Sequence, residues 1–228
     1  MSAPTLELAR AFDGFFAALF VLAGLGVIVA RQMRGTLYLF VSHALMLSAS
    51  AIVLAVALHS SHLGWVALIT LVTKVVAVPV VLVWATGAKV FGRREVDHVL
   101  SIPLSLLIAA AMAFAAWIAS QPLVQAIPDQ PFAAIHIPTG LMSIFFGAFT
   151  VAVRREGVAQ LMGLLIIESG ALFASIAIVH DLTIIAEIAA AVDVPIAALV
   201  IGLLIHSIRT VTGSTRVGQM ASLRERQR

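Results

Sequence analysis

Seven long apolar runs determine what this chain can fold into. Each run has about the 20 residues that a helix needs to cross the hydrocarbon core of a bilayer. The runs cover residues 14–30, 37–58, 64–87, 99–120, 134–153, 158–180 and 184–208. Because they are continuous and do not alternate between apolar and polar residues, they predict helices rather than barrel strands. We therefore expect an all-α, polytopic integral membrane protein with about seven transmembrane helices.

The composition excludes a soluble enzyme and a disordered chain. The 228 residues are 61% hydrophobic and 11% charged, whereas a soluble domain is about 45–50% apolar and about 25% charged. Little chain remains between the runs, so we expect a single membrane domain over residues 1–228. Cys is absent, and no His pair has a metal-ligand spacing with carboxylates. We predict no metal, no cofactor and no catalytic residue in this chain.

The basic residues predict the orientation. Lys and Arg follow the first, third, fifth and seventh runs, whereas the loops after the second, fourth and sixth runs have none. The residues on the basic side are Arg31, Arg34, Lys89, Arg93, Arg94, Arg154, Arg155, Arg209, Arg216, Arg224, Arg226 and Arg228. Since basic loops stay in the cytoplasm, we expect the N-terminus outside and a basic cytoplasmic tail at 210–228.

Three ionisable residues fall near the middle of apolar runs, namely Lys74, Glu168 and Asp193. A charge at the bilayer centre costs about 2.5–3.5 kcal/mol, so such a residue is paired, hydrated or functional. Two carboxylates against one lysine exceed the needs of a simple ion pair, which favours an ion path. The alternative is a buried pair that only joins helices. Glu187, about 9 Å before Asp193 along its helix, is either a further step in that path or an interfacial residue.

Histidines give a weaker signal. His43 lies at a depth where it could join the layer of Lys74, but a hydrogen-bonded core histidine fits equally well. His136 lies near the start of the fifth run, and Asp13 lies in the charged segment that leads into the first run. Neither residue has a predicted role. The remaining histidines are expected at the membrane interface: His59, His62, His98, His180 and His206.

Prolines and small residues accompany the charges. Pro79 follows Lys74 by five residues, and Pro195 follows Asp193 by two. Each proline removes a backbone donor and frees a carbonyl, so we expect helix breaks that hold water or, alternatively, ordinary kinks. Around Glu168, the small residues Gly163, Ser169 and Gly170 predict close helix packing.

Two stretches carry a family resemblance. The 134–209 part contains Leu-Ile-Ile-Glu-Ser-Gly-Ala around Glu168 and Ala-Val-Asp-Val-Pro around Asp193, and it resembles the three-helix K subunit of respiratory complex I. That family carries one carboxylate in each of its last two helices; Asp193 replaces the usual Glu. The whole chain, including a four-helix part at 14–120, resembles the hydrogenase-4 component E family. It shares the segment around Lys74 and Pro79 and the spacing of Glu187 and Asp193.

The resemblance implies a non-catalytic membrane-arm subunit of a complex-I-like assembly that moves protons or sodium ions. Glu168 and Asp193 would be ion-path carboxylates, with Lys74 as their basic partner. Nickel–iron and iron–sulfur centres would lie in partner subunits, beside antiporter-like membrane subunits and a peripheral redox arm, in the cytoplasmic membrane of a bacterium or archaeon; no nucleic acid is implied. The alternatives are a structural linker subunit and a free-standing secondary transporter.

Overall fold

All regular elements of the described chain are helices. A computed structural model describes residues 3–86 and 100–176, and no strand occurs in those two ranges. Six apolar segments there are long enough to cross a membrane. Five are single helices: α1 (Ala3–Val29), α2 (Met33–Ala57), α5 (Ile102–Ala126), α6 (Ala133–Val153) and α7 (Gly157–Ile176). The seventh predicted run, 184–208, and the basic tail lie outside the described residues.

The third membrane segment is a composite. It consists of α3 (Ser61–Thr70), a π-helical segment (Leu71–Ala77) and α4 (Val78–Thr86). Pro79 has no backbone N–H, and its ring crowds the carbonyl four residues earlier. The preceding turns are wider than in an α-helix: the amide of Val78 donates to the carbonyl of Thr73, five residues back. Lys74 lies within this widened segment, and its backbone geometry therefore differs from that of an ordinary helix residue.

Two helices are longer than their apolar runs. The first begins at Ala3 rather than at residue 14, and it includes the charged residues that precede the run. The fourth predicted helix, 99–120, is observed as Ile102–Ala126 and continues through Pro122. It passes its polar residues because Ser120 and Gln121 both donate to the carbonyl of Trp117 within the helix. Polarity alone therefore predicted the start of α1 and the end of α5 wrongly.

Helices α6 and α7 form the tightest contact of the bundle through two glycine pairs. A Cβ atom on Gly140 would lie 2.5 Å from the carbonyl oxygen of Gly170, and one on Gly147 would lie 2.5 Å from that of Gly163. Such small residues let the backbones of membrane helices approach closely. The close packing predicted for Gly163 and Gly170 is confirmed.

Large apolar side chains cover the outside of the bundle. Trp84, Phe114 and Leu107 are each more than 60% exposed. Exposure of such large apolar side chains to water is unfavourable, whereas lipid tails solvate them. Together with six apolar helices of spanning length, this surface makes the chain a multi-pass membrane protein.

Candidate functional site

An ion pair joins the third membrane segment to α7. The Nζ atom of Lys74 lies 3.0 Å from Oε1 of Glu168 and donates to Oγ of Ser169 at 2.9 Å. The lysine side chain is 3% exposed and the glutamate side chain 36% exposed. The ammonium group is thus enclosed by protein, while the glutamate side chain is partly exposed at the outside of the bundle.

Ser169 provides a second hydrogen-bond acceptor for the ammonium group of Lys74. Its hydroxyl donates to the carbonyl of Leu165 at 2.8 Å, so the hydroxyl oxygen is available to accept from Lys74. The ammonium group therefore has a carboxylate and a hydroxyl as acceptors, both on successive residues of α7. At this 3.0 Å distance a proton can pass directly between the lysine and Glu168.

His43 is fully buried on α2, where it contacts Ser143 of α6 and stacks on Phe20 of α1. Its Nε2 lies 3.0 Å from Oγ of Ser143, which in turn donates to the carbonyl of Ile166 at 3.2 Å. Because the hydroxyl proton is used on that carbonyl, Nε2 is the donor to Ser143. The Nδ1 atom has no hydrogen-bond partner among the described residues. Lys74 acts on His43 electrostatically, but no hydrogen bond joins the two within the described chain.

A second polar cluster lies where α1, α2, α6 and α7 meet. Asp13, Ser50 and His136 are each 0% exposed. Nε2 of His136 lies 2.9 and 3.0 Å from the two carboxylate oxygens of Asp13, and Ser50 donates to Oδ1 at 2.5 Å. Nδ1 of the imidazole lies 2.8 Å from the carbonyl oxygen of Phe173. Four helices are thereby connected through one buried carboxylate–imidazole pair.

The sequence analysis assigned no role to this second cluster. Asp13 follows Glu7 and Arg10 in the charged segment that leads into the first apolar run. The helix nevertheless begins before them, and Arg10 is exposed while Asp13 is buried. The missed signal is periodic: Asp13, Ala17 and Phe20 follow the helical spacing of one buried face.

Stacked rings separate the two clusters. The centroid distances are 4.3 Å from His136 to Phe173, 4.4 Å from Phe173 to Phe20, and 3.8 Å from Phe20 to His43. Both phenylalanines are 0% exposed. Because phenyl rings neither donate nor accept a proton, they form an apolar plug between the carboxylate–imidazole pair and His43.

Arg154 has a structural role. Its Nη2 atom donates to the carbonyls of Val27, Ile28 and Ala30 at 2.8, 3.0 and 2.6 Å, at the end of α1. A cation at a helix C-terminus satisfies its unpaired carbonyls and complements the helix dipole. Burial lowers the pKa of this guanidinium to about 10, against the opposing effect of Glu156, so the group stays charged at neutral pH.

Three predicted residues cannot be placed. Asp193, Glu187 and Pro195 lie outside the described residues. Pro79 lies two residues after the end of the π-helical segment. Lys74 contacts Glu168 and Ser169 on α7, and His43 contacts Ser143 on α6. In residues 3–86 and 100–176, no group of three or more His or acidic side chains could hold a metal ion.

Comparison with known proteins gives one distant likeness. No family model matches the chain, and no solved structure matches it. The chain is similar to a Mycobacterium tuberculosis protein described as uncharacterized protein Rv0085. The two are 25% identical over 211 residues, which cover 92% of this chain and 95% of the relative. The likeness therefore extends over almost the full length of both chains.

Proposed function

We propose that the chain is a membrane-arm subunit of a complex-I-like, redox-driven complex that translocates protons or sodium ions. The observation that carries this proposal is the 3.0 Å contact between Lys74 and Glu168 inside membrane-spanning segments. The resemblance to hydrogenase-4 component E and to the K subunit of complex I adds support. In this proposal the N-terminus is outside and the 210–228 tail is cytoplasmic.

The energetics of the ion pair favour a functional role. Lys74 lies near the middle of its membrane segment, where an unpaired charge is expensive. Replacing a buried ion pair with apolar residues is often neutral or stabilising, so stability alone does not require one. The 36% exposure of Glu168 is also more than a purely cohesive contact needs. Exposure leaves the side chain of Glu168 accessible to water or to a partner subunit.

In the proposed mechanism, the pairing of Lys74 changes during turnover. Redox chemistry at the nickel–iron and iron–sulfur centres of partner subunits supplies the driving free energy. When Lys74 and Glu168 separate, each charge loses its partner in a medium of low dielectric constant. Glu168 then takes up a proton from water or from a partner subunit, and Lys74 passes its proton to the next group of the proposed path, Asp193. Re-formation of the pair transfers the proton of Glu168 to Lys74, so that one proton has moved through the site.

The E168Q variant tests this role in the intact complex. Glutamine keeps the size of the side chain but cannot exchange a proton, so we expect redox-driven proton translocation to fall about a hundredfold. Electron transfer to an artificial acceptor at the redox arm should be retained. The matched control is E7Q, which removes an exposed carboxylate near the start of α1 and should leave translocation unchanged. Unchanged translocation in E168Q would contradict the proposal.

Co-purification tests the assembly itself. A tagged chain extracted from its own membrane in mild detergent should bring antiporter-like subunits and a redox arm, identified by mass spectrometry. Antiporter-like partners without a nickel–iron subunit would keep the ion path and change the electron donor. A chain that purifies alone and transports ions after reconstitution would establish the free-standing transporter instead.

A structural linker is the second candidate, and one observation favours it. The ammonium group of Lys74 is satisfied by both Glu168 and Ser169, as a purely cohesive contact would be. A linker holds pumping subunits against the redox arm and needs the pair only for its shape. It therefore predicts that loss of the pair reduces assembly yield and leaves coupling intact.

A further inference from the structure

We propose that Asp13, Ser50 and His136 form a second proton-binding site, distinct from the Lys74–Glu168 pair. The site lies toward the end of the bundle that carries the N-terminus of α1. Asp13 is seven residues inside the membrane segment Leu6–Val29, about 10 Å along a helix. Binding of the proton stands independently of the membrane-arm assignment, and only its use in an ion path rests on the proposed function.

The hydrogen-bond geometry requires a bound proton. The carbonyl of Phe173 can only accept, so Nδ1 of His136, 2.8 Å away, carries a hydrogen. Nε2 lies 2.9 and 3.0 Å from the oxygens of Asp13. If Nε2 were bare and the carboxylate ionised, two acceptors would face each other at that distance. One further proton therefore lies between them, on the imidazole or on the carboxyl group.

Because the pair is buried, the shared proton determines whether a net charge lies in the apolar interior. Both side chains are 0% exposed, and with the shared proton the pair has no net charge. Loss of the proton leaves one negative charge in an apolar environment, which is costly unless hydrogen bonds stabilise it. Ser50 supplies such a bond, since its hydroxyl donates to Oδ1 of Asp13 at 2.5 Å. The site thus contains both a proton carrier and a group that stabilises the unloaded state.

On the described helices, no other charged or titratable side chain bonds the pair of Asp13 and His136. Besides Asp13 and His136, the titratable or charged groups on α1, α2, α3, the π-helical segment and α7 are Glu7, Arg10, Arg34, Tyr38, His43, His62, Lys74 and Glu168; α5 and α6 add none. Glu7 and Arg10 are exposed, and Glu168 is paired with Lys74. The plug of Phe20 and Phe173 separates His43 from the pair. Among residues 3–86 and 100–176, the groups that contact a proton held here are therefore Asp13, His136 and Ser50.

If the proposed function holds, the site is a proton-holding position on one side of the phenylalanine plug. The Lys74–Glu168 pair and His43 lie on the other side. A proton from the water at the α1 N-terminal end would bind Asp13 and His136 first. Passage to His43 would require the rings of Phe20 and Phe173 to move apart.

Spectroscopy on the full-length chain in lipid nanodiscs tests the site without any measurement of transport. Nitrogen NMR of labelled histidine reports a doubly protonated His136, and infrared difference spectra report a protonated Asp13 carboxyl group. We expect one of these signals at neutral pH and its exchange for deuterium. The D13N variant should remove the signal, whereas E7Q should keep it.

Ser50 gives a second variant if D13N fails to fold. Because its hydroxyl stabilises the ionised carboxylate, S50A should strengthen the infrared band of the protonated Asp13 carboxyl group at the expense of the signal of doubly protonated His136. The matched control is S48A, whose hydroxyl bonds only the carbonyl of Ala67 and should leave both signals unchanged. A neutral His136 beside an ionised Asp13 would overturn the proposal. So would a shared proton that does not exchange for deuterium while the protein stays folded, since that is a static ion pair.

Discussion

The glycine contacts between α6 and α7 lead to a quantitative prediction for G147A. The added methyl carbon would lie 2.5 Å from the carbonyl oxygen of Gly163, 2.7 Å from Cγ1 of Ile167 and 2.8 Å from its backbone nitrogen. Ordinary carbon contacts begin near 3.4 Å, so the two helices must separate by several tenths of an ångström or more. Two of the three contacts are to backbone atoms, which cannot rotate away. Overpacking of this kind costs about 1–3 kcal/mol.

The control for this prediction has the opposite sign. Gly35 lies in the first turn of α2, and nothing lies within 4 Å of a Cβ atom built there. Since alanine favours a helix over glycine by up to about 1 kcal/mol, G35A should be neutral or stabilising. Reversible unfolding in detergent or bicelles measures both variants. Equal stability of G147A and the parent chain would refute the close approach of α6 and α7.

Two further predictions concern buried contacts, each with an exposed counterpart. R154Q should lower the free energy of unfolding by about 2–3 kcal/mol, because the guanidinium donates to three carbonyls at the end of α1. The control is R155Q at the exposed neighbour Arg155, which should change the free energy of unfolding by no more than about 0.5 kcal/mol. F20A should cost about 3–5 kcal/mol and admit water to His43, detected by faster deuterium exchange of its imidazole. The control F15A removes a ring that is 57% exposed and should not change that exchange.

Helix content was predictable because the bilayer imposes a length. Apolar runs of about 20 residues predicted the six membrane segments of the described chain. The ends of these segments were less predictable. Gln121 donates to the carbonyl of Trp117 within its own helix, and the side chain of Asp13 is buried. Both effects depend on local hydrogen bonding or on tertiary partners, which hydropathy does not encode.

The pairing of side chains needed the structure. The positions of Lys74 and Glu168 within their apolar runs predicted that both lie at a similar depth in the membrane. Whether their side chains make contact depends on the rotation of each helix about its axis. Ser143 as partner of His43, and His136 as partner of Asp13, come from residues 100 and 123 positions apart. A single sequence carries no signal for such contacts beyond the buried face on which each residue lies.

The most direct test of the ion-path role compares K74M, E168Q and the joint variant in the intact complex. E168Q leaves the buried ammonium group of Lys74 without its carboxylate, which costs about 3–5 kcal/mol. K74M leaves Glu168, whose side chain is 36% exposed, and should cost less. Each single variant should therefore reduce assembly, E168Q more than K74M. The joint variant carries no charge at this site and should assemble better than either single variant. Assembly alone therefore does not separate an ion path from a linker.

Redox-driven proton translocation by the assembled joint variant distinguishes an ion path from a structural linker. An ion path needs ionisable groups at these positions, so we predict that translocation stays lost while electron transfer at the redox arm continues. Translocation restored to the level of the parent complex would contradict the account and would assign the Lys74–Glu168 pair to a structural linker.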